Sequence, residues 1–332
     1  MNVKQILLWV IAPLFLLVGG VLLYIIDLPP IHHSIKTYTV GIIQNTDHPA
    51  LIQTRKGIID VLTQKGYIHY TNTLIKEESA DGNVNKAEQI IQNFIKDNVD
   101  IIIAIGTPVA QIAARHTTKT NIPVVFASVT DPIAANLVES LEAPGGHVTG
   151  VTNYVSISRQ FSYFKRLMPA LKEIGVIYNP NESNSVAMID KMRDVSDMFG
   201  IKIYTEKATD AQSIEKAVLN LIQKGADAFF VNNDNNALQH LESITKIATK
   251  HNIPVFVSDI DCLNKGALAV LGPDQYEIGK QAAEMATRIL SGNKPQYIPV
   301  ESPNKVSKTV NTTVAEQFQI IYKQSSYEKF QF

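Results

Sequence analysis

Apolar and polar positions follow one another along this chain in a repeating order: a short β-branched run, a polar tip, then a helical stripe. Residues 39–43 form an uncharged run closed by Gln44 and Asn45, the pattern of a strand buried on both faces. Within 55–65, Ile58, Ile59 and Leu62 share one helical face, and Gly66 stops the run. A second stripe holds Ala87, Ile90, Ile91, Phe94 and Ile95. Strands are predicted at 100–105 and 123–127, with a short helix near 109–115. From 174 the scheme begins again. Strands are predicted at 174–178, 202–205, 228–231, 255–257 and 267–271, and helices at 186–199, 213–224 and 238–250. A further helix opens at Asp274, with Glu277 placed to complete a capping box. The stretch 297–321 alternates like a strand and then turns helical. Such strand–helix alternation demands parallel sheets with helices on both faces.

The two halves share phrases. Asn121-Ile-Pro-Val-Val-Phe126 returns as Asn252-Ile-Pro-Val-Phe-Val257, and Val40-Gly-Ile-Ile-Gln-Asn45 as Ile174-Gly-Val-Ile-Tyr-Asn179. A third pair starts at Asp100 and Asp227. The offsets are close to one another, about 127 to 134 residues, so they report one duplication; the period is far too long for a solenoid. Two similar lobes facing each other across a cleft are expected. In every unit the polar loop follows the carboxyl end of a strand, the edge at which open α/β sheets bind ligands. These loops are Gln44–His48, 106–108, 128–131, 179–183, 232–235 and 258–261.

The front of the chain decides a compartment. Residues 6–26 carry no charge and, as a helix, reach roughly 31 Å, close to the ~30 Å hydrocarbon core of a bilayer. Lys4 precedes the run and Asp27-Leu-Pro-Pro30 ends it, which places the N-terminus in the cytoplasm. A cleaved signal peptide is the competing reading. It fits less well, because its apolar region is shorter and needs a small-x-small site that is missing here. A membrane anchor through residues 6–26 is expected, with the rest extracytoplasmic, either periplasmic or at the cell surface.

Composition narrows the function. Of 332 residues 45% are apolar, enough for two cores, and the net charge of −1 gives no footprint for nucleic acid. The single cysteine, Cys262, forms no intrachain disulfide, has no metal-ligand spacing around it and reads as a small packing residue. No nucleophile elbow, zinc-protease signature or phosphate loop occurs, so no catalytic residue, metal or cofactor is assigned.

None of the six loops contains Lys or Arg, which argues against a phosphate or polyanionic ligand. The carboxylates Asp131, Glu182, Asp234 and Asp259 favour an ammonium. The hydroxyls of Thr107, Ser128 and Thr130, with a helix opening at Gly106, suit a lone carboxylate. Together these residue types fit an amino-acid zwitterion. Gln44 and His48 are candidate lip residues, and Asn153, Asn179, Asn184, Ser185, Asn235 and Ser258 complete the set. Structural alternatives stand beside several of them. Asp131 caps a turn before Pro132, Glu182 is a solvated loop charge, Asn184 and Ser185 cap the next helix, and Asn153 is part of a hinge. Tyr154 and Tyr178 stack on an aromatic ligand or, more simply, pack in the core.

The chain resembles the substrate-binding proteins of ABC transporters, of the type that includes tryptophan and tyrosine binders. The resemblance runs from about Thr37 to Ile321. Its stretches are His48-Pro-Ala-Leu51 with Arg55-Lys-Gly57, Gly106-Thr-Pro-Val-Ala-Gln111, Val129-Thr-Asp-Pro132 and Pro144-Gly-Gly-His-Val-Thr-Gly-Val151. Others are Tyr178-Asn-Pro-Asn-Glu-Ser-Asn-Ser185, Pro254-Val-Phe-Val-Ser-Asp259, and Gly266-Ala-Leu-Ala-Val-Leu-Gly272 with Ile278-Gly-Lys-Gln-Ala-Ala283. It implies a type I periplasmic-binding-protein (Venus-flytrap) architecture, two Rossmann-like α/β lobes with parallel sheets, here preceded by one transmembrane helix. On that frame residues 1–36 are anchor and linker, 37–152 plus 270–294 the N-lobe, and 153–269 plus 295–325 the C-lobe. Crossings are placed near Asn153, Ala269 and Lys294. Asn232 and Asn233 depart from the more proline- or threonine-like loop the family suggests. The implied function is delivery of an amino acid-like solute to an ABC permease and its ATPase. A ligand sensor for a signalling partner is the alternative. A repressor would need a helix-turn-helix, and a two-lobed glycosyltransferase would need a basic contact in the cleft.

Overall fold

The protein is seen here as a computed structural model that describes residues 37–322. The predicted membrane span, 6–26, lies outside the described residues; among those described, no helix is long and apolar enough to cross a membrane.

Two sheets result from the alternating pattern. The first has strand order β2-β1-β3-β4-β5 and is parallel throughout. Its strands are β1 (Tyr38–Gln44), β2 (Thr73–Ser79), β3 (Ile101–Ile105), β4 (Val124–Val129) and β5 (Val148–Thr152). The second has order β11-β10-β9-β8-β6-β7. It comprises β6 (Glu173–Tyr178), β7 (Lys202–Lys207), β8 (Ala228–Val231), β9 (Val255–Val257), β10 (Ala269–Pro273) and β11 (Val306–Val310), of which β11 alone runs antiparallel to its neighbour. Each sheet is covered by helices on both faces, and each lobe holds two apolar clusters of its own. This is the α/β two-lobed architecture expected from the sequence.

Several elements had no clear signal. β2 reads Thr-Leu-Ile-Lys-Glu-Glu-Ser, too charged to score as a strand; it lies at the sheet edge and buries Thr73 and Ile75. β5 carries Gly150 mid-strand because a side chain there would strike the Phe126 carbonyl of β4. The first helix, α1 (Pro49–Gln64), starts ahead of the predicted 55, since Pro49 suits a first helical turn and His48 is extended at its N-cap. α2 (Val84–Lys96) and α3 (Thr107–Thr117) follow in the first lobe, and α4 (Ile157–Leu167) opens the second. There α5 (Ser183–Ser196) and α6 (Ala211–Gln223) are joined by α7 (Asn235–Gln239) and α8 (Leu241–Lys250), the predicted 238–250 helix being broken at His240. In α9 (Gln275–Leu290), Asp274 accepts from the Glu277 N–H, but the Glu277 carboxylate pairs with Lys280, so only half of the predicted capping box forms. The last helix is α10 (Thr312–Gln317).

The chain passes between the sheets three times. The first passage follows β5 at Asn153. The second falls at Asp274 rather than near Ala269, because Ala269–Pro273 is paired with β9 and β11 in the second sheet. The third falls between Glu301 and Val306 rather than near Lys294. Ile298 belongs to the first lobe's core and the Glu301 N–H bonds the Gly150 carbonyl, which holds that stretch to the first lobe.

α9 returns to the first lobe and packs unusually close to α1. A Cβ on Gly279 would stand 2.0 Å from the Thr54 carbonyl oxygen, and one on Gly57 2.2 Å from that of Tyr276. This approach sets Thr54 beside Gln275, the first residue of α9. Gly279→Ala is therefore expected to cost about 1–3 kcal/mol, the usual penalty for overpacking a rigid contact. Gly146→Ala, where a Cβ meets nothing within 4 Å, should shift stability by less than about 0.5 kcal/mol. Urea unfolding of both variants checks this; equal midpoints would refute the helix-contact argument.

Candidate functional site

The strand tips of the two lobes meet, and irregular backbone aims their side chains. Strand β4 slips register between Ala127 and Val129, and Ser128 at the slip has a φ of 56°. Such bulges re-aim a side chain at the end of a strand. Here the bulge turns the Ser128 hydroxyl toward Thr54, at 3.0 Å, and to the Gln275 side-chain oxygen, at 2.6 Å. Gly106 has a φ of 101° and opens α3 without a side-chain cap, leaving the first-turn N–H groups of α3 free of a capping oxygen. On the other lobe, β9 is followed by Ser258 and Asp259, both buried.

A small cavity lies between the lobes. His48, Leu51, Thr107, Ser128, Thr130, Asn153 and Gln275 line it from the first lobe and its crossings, and Asn184, Asn233, Asn235, Leu238 and Asp259 from the second. Its volume is about 10 Å3, near the lower limit for one water molecule. The lobes therefore touch directly. Asn233 donates to Thr130 at 3.3 Å and to Asn153 at 3.2 Å, and His48 meets Asn235 at 3.4 Å. At the rim Ser183 donates to Gln111 at 3.3 Å, and Lys191 pairs with Asp131 at 2.9 Å. Gln275 joins the two sides: its oxygen accepts from Ser128 and Thr54, and its amide N–H donates to Asp259.

The four candidate carboxylates separate by environment. Asp259 lines the cavity; burial raises its pKa above the ordinary value, against hydrogen bonds from Gln275 and Ser258. Asp234 is turned away. It caps α7 through the Ala237 N–H at 2.7 Å and accepts from the Asn179 N–H and the Ser185 hydroxyl. Burial, then the Glu182 charge beside it, pushes Asp234 up to about 7. Glu182 accepts from Asn179, Asn184 and Asn235, so its partners are the loop itself. Asp131 sits at the rim. Partial burial works against its carboxylate, but the Ala134 N–H and the Lys191 ammonium outweigh that and hold it below the ordinary value.

Of the remaining candidates, Gln44 lies outside the lining and donates to the Thr46 carbonyl and Asp47. Asn179, Ser185 and Ser258 also lie outside the lining: the first two bond Asp234, and Ser258 buttresses the lining residue Asp259. Gly106 borders the cavity: a Cβ there would stand 3.6 Å from Leu51 and 3.9 Å from Asn235 Oδ1. Tyr154 and Tyr178 pack against the second lobe's core. Sequence reasoning missed Leu51, Thr54, Asn233, Leu238 and Gln275 as site residues. Gln275 follows the cap residue Asp274, and that position, at a crossing into a helix N-terminus, is the signal that points to it. Thr54 has none, since it interrupts an apolar helical stripe as many buried threonines do. Among the described residues no cluster of His, Cys, Asp and Glu is arranged to hold a metal.

Residues 39–328 match the family described as ABC transporter substrate binding protein. The chain is 34% identical over 278 residues to a tyrosine-binding protein of Clostridioides difficile, covering 84% of this chain and 80% of that one. It superimposes on a Streptococcus ABC domain in complex with L-Trp with a TM-score of 0.83 at 28% identity, covering 87% and 96% of the two chains. Against the ligand-free, open form of a Clostridium difficile substrate-binding protein with adhesive properties, the TM-score is 0.67 at 31% identity, covering 87% and 97%.

Asp234 gives stability a pH dependence. Its pKa rises from 3.8 to about 7 on folding, so the folded state holds more protons than the unfolded state between those values. The associated stability is complete below about pH 4 and is lost as pH rises through about 7. Asp234→Asn removes this titration, and the fall in unfolding free energy from about pH 5 to 8 should become shallower in urea titrations. Parallel profiles for wild type and variant would refute the assignment.

Proposed function

We propose a function from one premise: the chain belongs to the ABC transporter substrate-binding protein family. On our reading it binds a free amino acid, an aromatic one, between its lobes outside the cytoplasm and delivers it to an ABC permease coupled to an ATPase. The observation that carries this reading is the pairing of Asp259, the one carboxylate lining the cavity, with the hydroxyls of Thr107, Ser128 and Thr130 across from it, in a lining free of Lys and Arg. An α-ammonium answers Asp259. An α-carboxylate answers the Thr107 hydroxyl and the uncapped N–H groups that open α3. Relatives named for tyrosine binding and seen with L-Trp support an aromatic side chain, as do Leu51 and Leu238 in the lining.

Closure is what makes the pairing effective. Open lobes leave Asp259 and the hydroxyls in water, where a charge pair at contact is worth only about 1 kcal/mol. Joined lobes remove that water, and each ligand charge meets a partner already in place. We also hold residues 6–26 to be an uncleaved tether that keeps the lobes near the permease; N-terminal sequencing of the mature protein should read through them, and a start beyond residue 26 would show a cleaved leader.

A thermal-shift screen of the amino acids identifies the ligand, since a molecule that binds only the folded state raises its apparent stability. With that ligand, Asp259→Ala should weaken binding by about 2–5 kcal/mol, the range for breaking a buried charge pair. Thr107→Ala should cost about 1.5–3 kcal/mol, as for a hydrogen bond to a charged group. Both variants should keep a cooperative unfolding transition. Calorimetry that gives wild-type affinity for both would remove the site assignment.

A further inference from the structure

One end of the cavity holds an acceptor that nothing in the protein uses. The amide of Asn235 is fixed by Glu182: its N–H group donates to the Glu182 carboxylate at 2.5 Å, which accepts and does not donate. Asn235 Oδ1 therefore faces His48 Nε2, at 3.4 Å, and a carbonyl oxygen requires the hydrogen to sit on Nε2. Burial pushes the His48 imidazole down to about 4, and the Asn235 hydrogen bond offsets this only in part, so the ring is neutral at ordinary pH. In a neutral ring with hydrogen on Nε2, Nδ1 is a bare acceptor. Nδ1 is buried and has no partner, and His48 itself is only 3% exposed.

The surroundings of the ring fit a ligand side chain rather than an ammonium. Leu51 and Leu238 line the cavity too, and Leu51 and Asn235 Oδ1 both lie within 4 Å of a Cβ position on Gly106. The His48 ring therefore shares its cavity with two leucines. Asp259, with Gln275 and Ser128 around it, forms a separate polar cluster. We propose that His48 is the specificity-determining residue for the ligand's side chain, its Nδ1 accepting a hydrogen bond from a donor carried on an aromatic ring, a phenol hydroxyl or an indole N–H. Glu182 and Asn235 are positioning residues: they act through His48 by fixing its tautomer. The proposal rests on the amino-acid reading above and adds to it the choice among aromatic side chains. An acceptor left bare in a closed cleft penalises a ring that lacks a donor.

Calorimetry of the full chain with L-tyrosine, L-tryptophan and L-phenylalanine tests this. Wild type should bind tyrosine or tryptophan at least about tenfold tighter than phenylalanine, and the preferred one identifies the donor. His48→Leu should lower that affinity far more than the affinity for phenylalanine, so that the ratio collapses toward one. His48→Gln keeps an acceptor and should restore part of the ratio. Asn235→Ala frees the tautomer and should also reduce it. An unchanged ratio in His48→Leu, or equal losses for all three ligands at an unchanged unfolding midpoint, overturns the role of His48 and leaves the amino-acid reading standing. If wild type binds none of the three, that reading and this proposal fall together.

Discussion

Polar groups taken out of water between two lobes need partners, and that constraint organises this molecule. A buried amide or hydroxyl without a hydrogen bond costs about 1–3 kcal/mol, so closure is favoured where the lobes answer one another. The answers are specific. Asn233 reaches across to Thr130 and Asn153, and Gln275 spans Ser128, Thr54 and Asp259. Each contact relies on backbone set elsewhere: the bulge at Ser128, the tight packing of α1 on α9, the crossing at Asn153. The cleft is an interface whose geometry is dictated from within each lobe.

Apolar groups do the opposite work. They hold each lobe to itself, in clusters that stay on their own side of the cleft. A protein built this way can change the relation of its lobes without disturbing its cores, the basis of hinge motion. The Lys191–Asp131 pair at the rim adds modest attraction at most, because both side chains are partly exposed and such pairs contribute about 0–1 kcal/mol. Hydrogen bonds in the closed interior, not rim charges, therefore set how the lobes register.

The duplication and the strand-then-polar-tip pattern made the fold legible, because buried parallel strands are long apolar runs and their tips are not. Edge strand β2 escaped notice for the same reason: only one side of it is paired, so charge is allowed there. Residues at the ends of strands, Thr107, Ser128, Thr130 and Asp259, could be named from position. Which of them face the cavity could not, since Asp234 and Asp259 occupy similar positions after β8 and β9. One caps a helix and the other faces the other lobe, a difference decided by Asn179 and Ser185, far from Asp234 in sequence. Thr54 and Gln275 were out of reach because they meet through helix packing, and a helix contact leaves no mark on either local pattern.

The buried carboxylates show why such a site needs more acidic groups than a ligand can use. The loops that carry Asn184, Asn233 and Asn235 to the cavity are rich in asparagine, and such loops have many hydrogen-bonding arrangements of similar energy. Glu182 and Asp234 remove that freedom. Between them they take up the Asn179, Asn184 and Asn235 amides, the Ser185 hydroxyl and the first turn of α7. The cost is a pair of neighbouring acids, visible in the raised pKa of Asp234. What is gained is a C-lobe rim tied together by hydrogen bonds, in which Asn235 and Asn233 reach across to the first lobe. Asn235 held in this way meets His48 of the first lobe across the cavity, and a fixed acceptor without a partner rejects a poor ligand more strongly than it attracts a good one.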